Sequence, residues 1–164
     1  ESPQALLTRG ADHQVGIGLA LGVEVLTDRL VERGVELEPD DPQAEVVIDA
    51  RAPERFRGEA AEPRPGLRSG HIPGAVNVPW GRSVFPNARF RPLDDIRAIY
   101  EHFDKDAETV VYCQLGESSS HTWYVLKHIL GFTNVALYDG SWAEWGNMVR
   151  MPVVKGDAPE NEAD

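Results

Sequence analysis

Cys113 is the single thiol in a chain of 164 residues, and its surroundings suit nucleophilic chemistry. It follows Thr109-Val110-Val111-Tyr112, a β-branched and aromatic run that reads as a buried strand. It precedes Gln114-Leu115-Gly116-Glu117-Ser118-Ser119-Ser120 and then an apolar segment with helical period. The thiol is therefore expected at a strand end, in a short loop, at the mouth of a helix. Backbone N–H groups at a helix start point outward with partial positive charge, so they stabilise a thiolate and cradle an anion. A cysteine there is expected to have a lowered pKa and to be nucleophilic at neutral pH. Gly116 lets the loop curl tightly, with a positive φ allowed. The plainer alternative is a small buried hydrophobe at a strand end.

The elements that position this thiol alternate between strand and helix. Val23-Glu24-Val25-Leu26 is a short strand candidate, and Thr27 caps a helix that carries Leu30 and Val31 and stops at Gly34. Val46-Val47-Ile48-Asp49 reads as a buried strand, and Ala75-Val76-Asn77-Val78 as another, halted by Pro79. Ile96, Ile99, Tyr100 and Phe103 recur at helical spacing and form one apolar face. After the Cys113 loop, Ser118 or Ser119 is the expected cap of a helix striped by Thr122, Val125, Leu126, Ile129 and Leu130 and ended by Gly131. Val135-Ala136-Leu137-Tyr138 is the last strand. Five short strands interleaved with helices predict an α/β fold with a central, mostly parallel five-stranded sheet and helices on both faces. Sites in such sheets lie beyond the carboxyl ends of strands, which is where Cys113 falls.

Composition narrows the function classes. Length and a hydrophobic share of 41% fit one domain with a real core. No apolar run approaches the ~20 residues of a membrane span. A net charge of −11 argues against a nucleic-acid binder, which needs clustered Lys and Arg. The basic residues are 13 Arg against 3 Lys, several of them between Arg51 and Arg68. Arginine grips carboxylates and oxyanions bidentately, although any single one can simply decorate a solvated face. One cysteine is too few for a disulfide framework or a cysteine-based zinc site. His121 and His128 share a helix face but lack a third ligand, so no metal site is expected. Residues 1–22 are poorly patterned; Gly16-Ile17-Gly18 is not a phosphate loop, because no Gly-Lys-Ser/Thr follows. They read as an N-terminal arm or interdomain linker. Residues 23–155 read as the domain and 156–164 as an acidic, disordered tail. The first residue is Glu1 rather than Met, so the chain is expected to be processed, trimmed or part of something longer. The cytoplasm is the expected compartment, with a processed or exported form left open.

Four stretches together resemble a rhodanese domain: Val47-Ile48-Asp49-Ala50-Arg51, Gly70-His71-Ile72-Pro73-Gly74-Ala75, the Cys113 loop, and Tyr138-Asp139-Gly140-Ser141-Trp142-Ala143-Glu144-Trp145. Their order and spacing match over about residues 23–155. More narrowly, the Gly-Ser-Trp-x-Glu-Trp-Gly run resembles the catalytic C-terminal half of tandem thiosulfate and 3-mercaptopyruvate sulfurtransferases. The resemblance implies a persulfide-forming Cys113 that requires no metal or organic cofactor. Its thiolate would take the outer sulfur of a small anionic donor such as thiosulfate or 3-mercaptopyruvate and pass it to cyanide or a thiol, in a ping-pong cycle. The loop amides of Gln114, Leu115, Gly116, Glu117, Ser118 and Ser119 would hold the charged sulfur.

Within that resemblance the loop departs from its relatives. Thiosulfate-type loops often read Cys-Arg-Lys-Gly-Val-Thr, and mercaptopyruvate-type loops Cys-Gly-Ser-Gly-Val-Thr. Here Gln114 brings hydrogen bonds but no charge, Ser118 matches the Thr of both patterns, and Glu117 adds a negative charge expected to face solvent. The resemblance makes Arg64, in Glu62-Pro63-Arg64, the first candidate for donor binding and Arg68 the second. Asp49 and Arg51 are expected to hold the loop in shape, since a buried Asp at a strand end usually accepts backbone N–H bonds. His71 reads as structural rather than as a base, because a low-pKa thiol needs none. Trp142 and Trp145 are expected to wall the pocket or fill the core. Two rivals are set against the enzyme. A phosphatase of Cys-x5-Arg type needs Arg at position 119, where Ser119 stands. A sulfur-relay module would take sulfur from a partner protein, and the uncharged Gln114 and acidic Glu117 favour it. An upstream rhodanese domain is a possible further partner.

Overall fold

β1, Val46–Asp49, is Val-Val-Ile-Asp, a run whose last three residues are buried, as in a strand covered on both faces. It pairs in parallel with β2, Val76–Asn77, and with β3, Thr109–Tyr112, in register Ile48↔Val76 and Ile48↔Val111. β3 pairs in parallel with β4, Val135–Leu137. The sheet order is β2-β1-β3-β4. These elements belong to a computed structural model that describes residues 46–157. Four of the five expected strands are therefore present, and the fifth, Val23–Leu26, lies outside the described residues. So do the helix capped by Thr27, the arm over 1–22 and the tail beyond Asp157.

Because residues alternate across a pleat, Ile48, Ala50, Val111 and Cys113 share one face of the sheet. There they cluster with Ile96, Ile99 and Tyr100 of α2, Leu93–Tyr100, and with Val125 and Leu126. Full burial of each aliphatic side chain contributes about 1.5–3 kcal/mol. Val47, Val110 and Tyr112 point to the opposite face and are buried, as are Phe56 of α1, Pro53–Phe56, and Trp142 and Trp145 of α4, Ser141–Trp145. Their indole N–H groups donate to Arg68 O at 2.9 Å and Pro152 O at 2.8 Å. Both tryptophans are thus core residues.

β2 is shorter than Ala75–Val78. It lies at the edge of the sheet among the described residues, and Pro79 has no N–H with which to continue it. The helix after Cys113 is α3, Glu117–Tyr124, which widens into a π-helical segment, Val125–Leu130, before Gly131 (φ 78°) ends it. Its cap is neither Ser118 nor Ser119. Gly116, at φ 95°, takes the N-cap position, and both serines fall inside the first turn. Among the described residues no helix is long and apolar enough to cross a membrane.

The order of the strands fixes where a site can form. The chain runs from β1 to β2 on one side, then crosses to β3 on the other side of β1. Connections leave the carboxyl ends of β1 and β3 in opposite directions, which opens a crevice between them. Residues 50–55 line one bank and the Cys113 loop the other.

Candidate active site

Cys113 begins the loop directly after β3, and it is fully buried. The Gly116 amide donates to Sγ at 3.1 Å. The Ser119 hydroxyl lies 3.3 Å from Sγ and 3.1 Å from Gly116 O, so its one hydrogen serves either acceptor. Burial pushes the thiol pKa up. Hydrogen bonds from the Ser118 and Ser119 hydroxyls and from the Ser119 and Leu115 amides outweigh burial, and the pKa lies below its ordinary value. Gly116 is required here twice over: its φ is positive, and a Cβ would stand 2.9 Å from Asp139 Oδ1.

The loop is tied down from the opposite strand end. The Ser141 hydroxyl accepts from Cys113 N at 3.2 Å and donates to Tyr138 O at 2.8 Å. Ser141 holds φ 50°, a conformation that a non-glycine residue keeps only when its surroundings enforce it. Trp142 N and Ala143 N then donate to the carbonyls of Cys113 and Gln114, at 3.0 and 3.1 Å.

A buried ionic network occupies the other bank. Asp49 Oδ1 accepts from Arg51 N at 2.8 Å and Arg51 Nε at 3.0 Å, and Oδ2 accepts from Nη2 at 2.6 Å. Arg51 also donates to Gly70 O at 2.7 Å and pairs with Glu62 at 3.0 Å. Its guanidinium lies 4.5 Å from the Trp142 ring centroid. Burial opposes the charge on Arg51, but Asp49 overcomes it and the pKa is raised. Glu62, with only 1% of its side chain exposed, also pairs with Arg55, and Arg55 in turn donates to Gln114 Oε1 on the Cys113 loop. The line Asp49–Arg51–Glu62–Arg55–Gln114 therefore connects β1 to the loop. Two N–H groups in it, Arg55 Nε and Gln114 Nε2, are buried without a hydrogen-bond partner among the described residues. Buried donors of this kind call for an acceptor.

Residues 35–148 match the rhodanese-like domain. This chain belongs to the rhodanese-like domain family. It is 48% identical over 120 residues to the thiosulfate sulfurtransferase of Corynebacterium glutamicum, covering 70% of this chain and 40% of that protein. It is 48% identical over 118 residues to the sulfur carrier protein TtuD of Thermus thermophilus, covering 68% and 41%. Among solved structures, the Tum1 protein from Saccharomyces cerevisiae superposes with a TM-score of 0.64 at 28% identity, over 82% of this chain and 46% of that one. The chain spans about two fifths of the length of the curated relatives it matches.

The rhodanese-like fold brings together most of the site residues expected from sequence and separates others. Gln114, Gly116, Ser118 and Ser119 surround Cys113, while Leu115 and Glu117 are exposed. Arg64 is exposed, and its side chain makes no hydrogen bond or ion pair among the described residues. Arg68 is committed elsewhere: its guanidinium donates to the carbonyls of Trp145, Gly146, Met148 and Met151 at 2.7–3.0 Å, clamping the segment that follows α4. That geometry draws its donors away from a sulfur donor. His71 is buried, stacked on Phe56 at 3.6 Å, with Nδ1 2.8 Å from Phe56 O. Sequence reasoning missed Arg55, Glu62 and Ser141. For Arg55 a signal existed, since it stands four residues after Arg51 on the short helix that Pro53 starts.

The serine contact has a measurable consequence. The pH midpoint for alkylation of Cys113 by iodoacetamide is expected below that of a free thiol, and Ser119→Ala should move it up. The sign follows from the thiolate, which loses a donor while burial stays. An unmoved midpoint would show that the loop amides alone set the acidity.

Proposed function

We propose that this domain is a sulfurtransferase that carries sulfane sulfur as a persulfide on Cys113. The observation that carries the reading is the acidified, buried Sγ cradled by Gly116 N and the Ser119 hydroxyl. The thiolate attacks the outer sulfur of an anionic donor, thiosulfate or 3-mercaptopyruvate, and that sulfur bonds to Sγ. The donor's bond to the same sulfur breaks, and sulfite or pyruvate leaves with the electron pair. Cyanide or a thiol then takes the outer sulfur and returns Cys113 as thiolate. Arg55 Nε and Gln114 Nε2, without a hydrogen-bond partner among the described residues, support an anion beside the loop. Arg64 is the further candidate for the donor carboxylate, because its guanidinium is uncommitted among the described residues. The supporting shell of Asp49, Arg51 and His71 shapes the loop and touches no reactant.

A sulfur-relay role is the second reading. Gln114 is neutral and Glu117 lies exposed at the loop, which weakens a thiosulfate site and suits delivery from a partner protein. The similarity to a protein named as a sulfur carrier favours it too. An upstream rhodanese domain is a candidate partner, given the length of the relatives.

Intact mass separates these readings. After incubation with thiosulfate or 3-mercaptopyruvate, the chain is expected to gain one sulfur (~32 Da), removed by cyanide. A gain from neither donor, with transfer only from a persulfidated protein, would select the relay. No gain from any donor would overturn both.

A further inference from the structure

No Asp or Glu occurs from Pro63 to Leu93, a stretch that holds five arginines in a chain of net charge −11. Part of that stretch forms a surface beside the Cys113 crevice. Trp80 N donates to Ala50 O at 3.1 Å, and Ala50 N donates to Tyr112 O at 2.9 Å, so Trp80 starts one strand away from Cys113. The chain then makes a 3-10 turn, Trp80–Ser83, and a tight reversal in which Val84 bridges Phe90 and Ala88 takes φ 63°. The result is an unusually apolar exterior: Trp80, Phe85, Phe90 and Tyr124 are each 39–49% exposed. His121 of α3 organises it. Its ring stacks on Phe90 at 5.1 Å, meets the edge of Trp80 at 5.4 Å and bonds the Ser83 hydroxyl at 2.9 Å.

Beside Trp80 is an open cavity of about 330 Å³, walled by Phe85, Pro86 and Val84, with Arg91 over the Phe85 ring at 5.0 Å. Arg82, in the 3-10 turn, and Arg89, next to Phe90, are exposed, and neither side chain has a hydrogen bond or ion pair among the described residues. Aromatic residues and arginine are the types enriched where protein surfaces bind, and a pre-set aromatic pocket costs little to order. Asp94 and Asp95, in the first turn of α2, end the acid-free stretch along the chain. They limit the positive field to a short footprint, which disfavours the extended polyanion of a nucleic acid and admits a short acidic segment.

We propose that the Trp80–Phe85–Phe90–Tyr124 face, with Arg82 and Arg89, docks an acidic polypeptide segment with an aromatic anchor, and that this segment presents the thiol that takes sulfur from Cys113. The proposal rests on the sulfurtransferase reading. The acceptor thiolate attacks the outer sulfur of the Cys113 persulfide, the S–S bond breaks, and Sγ leaves as thiolate while the acceptor becomes the persulfide.

The test uses short synthetic peptides with one Phe and a terminal Cys, either rich in Glu or with every Glu replaced by Lys. Sulfur transfer from the loaded chain is expected to be on the order of tenfold faster to the Glu peptide at low salt, and the gap should close in high salt. Arg82→Glu with Arg89→Glu should erase the preference, and Phe90→Ser should slow the Glu peptide, while discharge to cyanide stays at the wild-type rate. Equal rates for both peptides, or a preference that survives the arginine substitutions, would overturn the proposal. So would tighter binding of oligouridylate than of the Glu peptide, or burial of this face in a self-association that the peptide does not compete with. A Glu peptide ending in Ser, followed by fluorescence anisotropy, reads docking without chemistry. Failure to load Cys113 therefore sinks the functional reading and leaves docking measurable.

Discussion

Cys113→Ser is expected to abolish sulfur transfer, by at least about 10³-fold, the scale of removing a covalent nucleophile. A serine oxygen occupies the same place, keeps the contacts with Gly116 N and the Ser119 hydroxyl, and remains a neutral hydroxyl at working pH. No second thiol exists in these 164 residues to take over. The melting temperature should stay within a few degrees, because the substitution is close to isosteric and its hydrogen-bond partners persist. Thiocyanate formation from thiosulfate measures the first quantity and a thermal melt the second. Turnover within tenfold of the wild type would rule out the persulfide cycle.

The second large effect is on stability. Arg51→Met removes the cation that Asp49 and Glu62 share inside the protein, where the Arg51 and Asp49 side chains are at most 1% exposed. Breaking one partner of such a pair typically costs about 3–5 kcal/mol, because the remaining charge is buried without compensation. For a domain of this size that corresponds to a fall in Tm of roughly 10–15 °C. Combining Arg51→Met with Asp49→Leu should recover part of the loss, since the Asp49 charge is then gone with its partner while Glu62 keeps Arg55. A single-variant loss under about 1 kcal/mol in urea unfolding would mean that water reaches the network and screens it.

Particular residues show how far the sequence alone could be read. β3 and β1 were legible to the residue, because a fully buried parallel strand needs an unbroken β-branched run, and Val46–Asp49 and Thr109–Tyr112 supply one. β2 was drawn too long: Ala75 N turns back to Ile72 O, and Val78 N still donates to Asp49 O without extending the ladder, and sequence does not reveal where an edge ladder stops. The serine cap was misplaced because a glycine in the left-handed region can enter a helix without any side-chain cap, and a Gly-x-Ser-Ser-Ser run does not say which residue bends. Cys113 and its loop were legible because covalent neighbours carry the geometry. The Glu62–Arg55–Gln114 line was not, because its members are 7 and 59 residues apart and only the fold brings them together. The partners of Arg68 were hidden for the same reason: the four carbonyls its guanidinium serves lie 77 to 83 residues away.

Burial of the thiol bears on timing. A sulfur atom loaded onto a side chain with no exposed surface is shielded from casual reductants, and it has no neighbouring cysteine with which to close a disulfide and discharge itself. The charged state would thus have a shelf life set by how often the crevice admits a visitor, not by the reactivity of the persulfide. On the persulfide reading proposed above, such a molecule would behave as a capacitor rather than a wire, filled in one place and emptied only into an acceptor that enters the crevice.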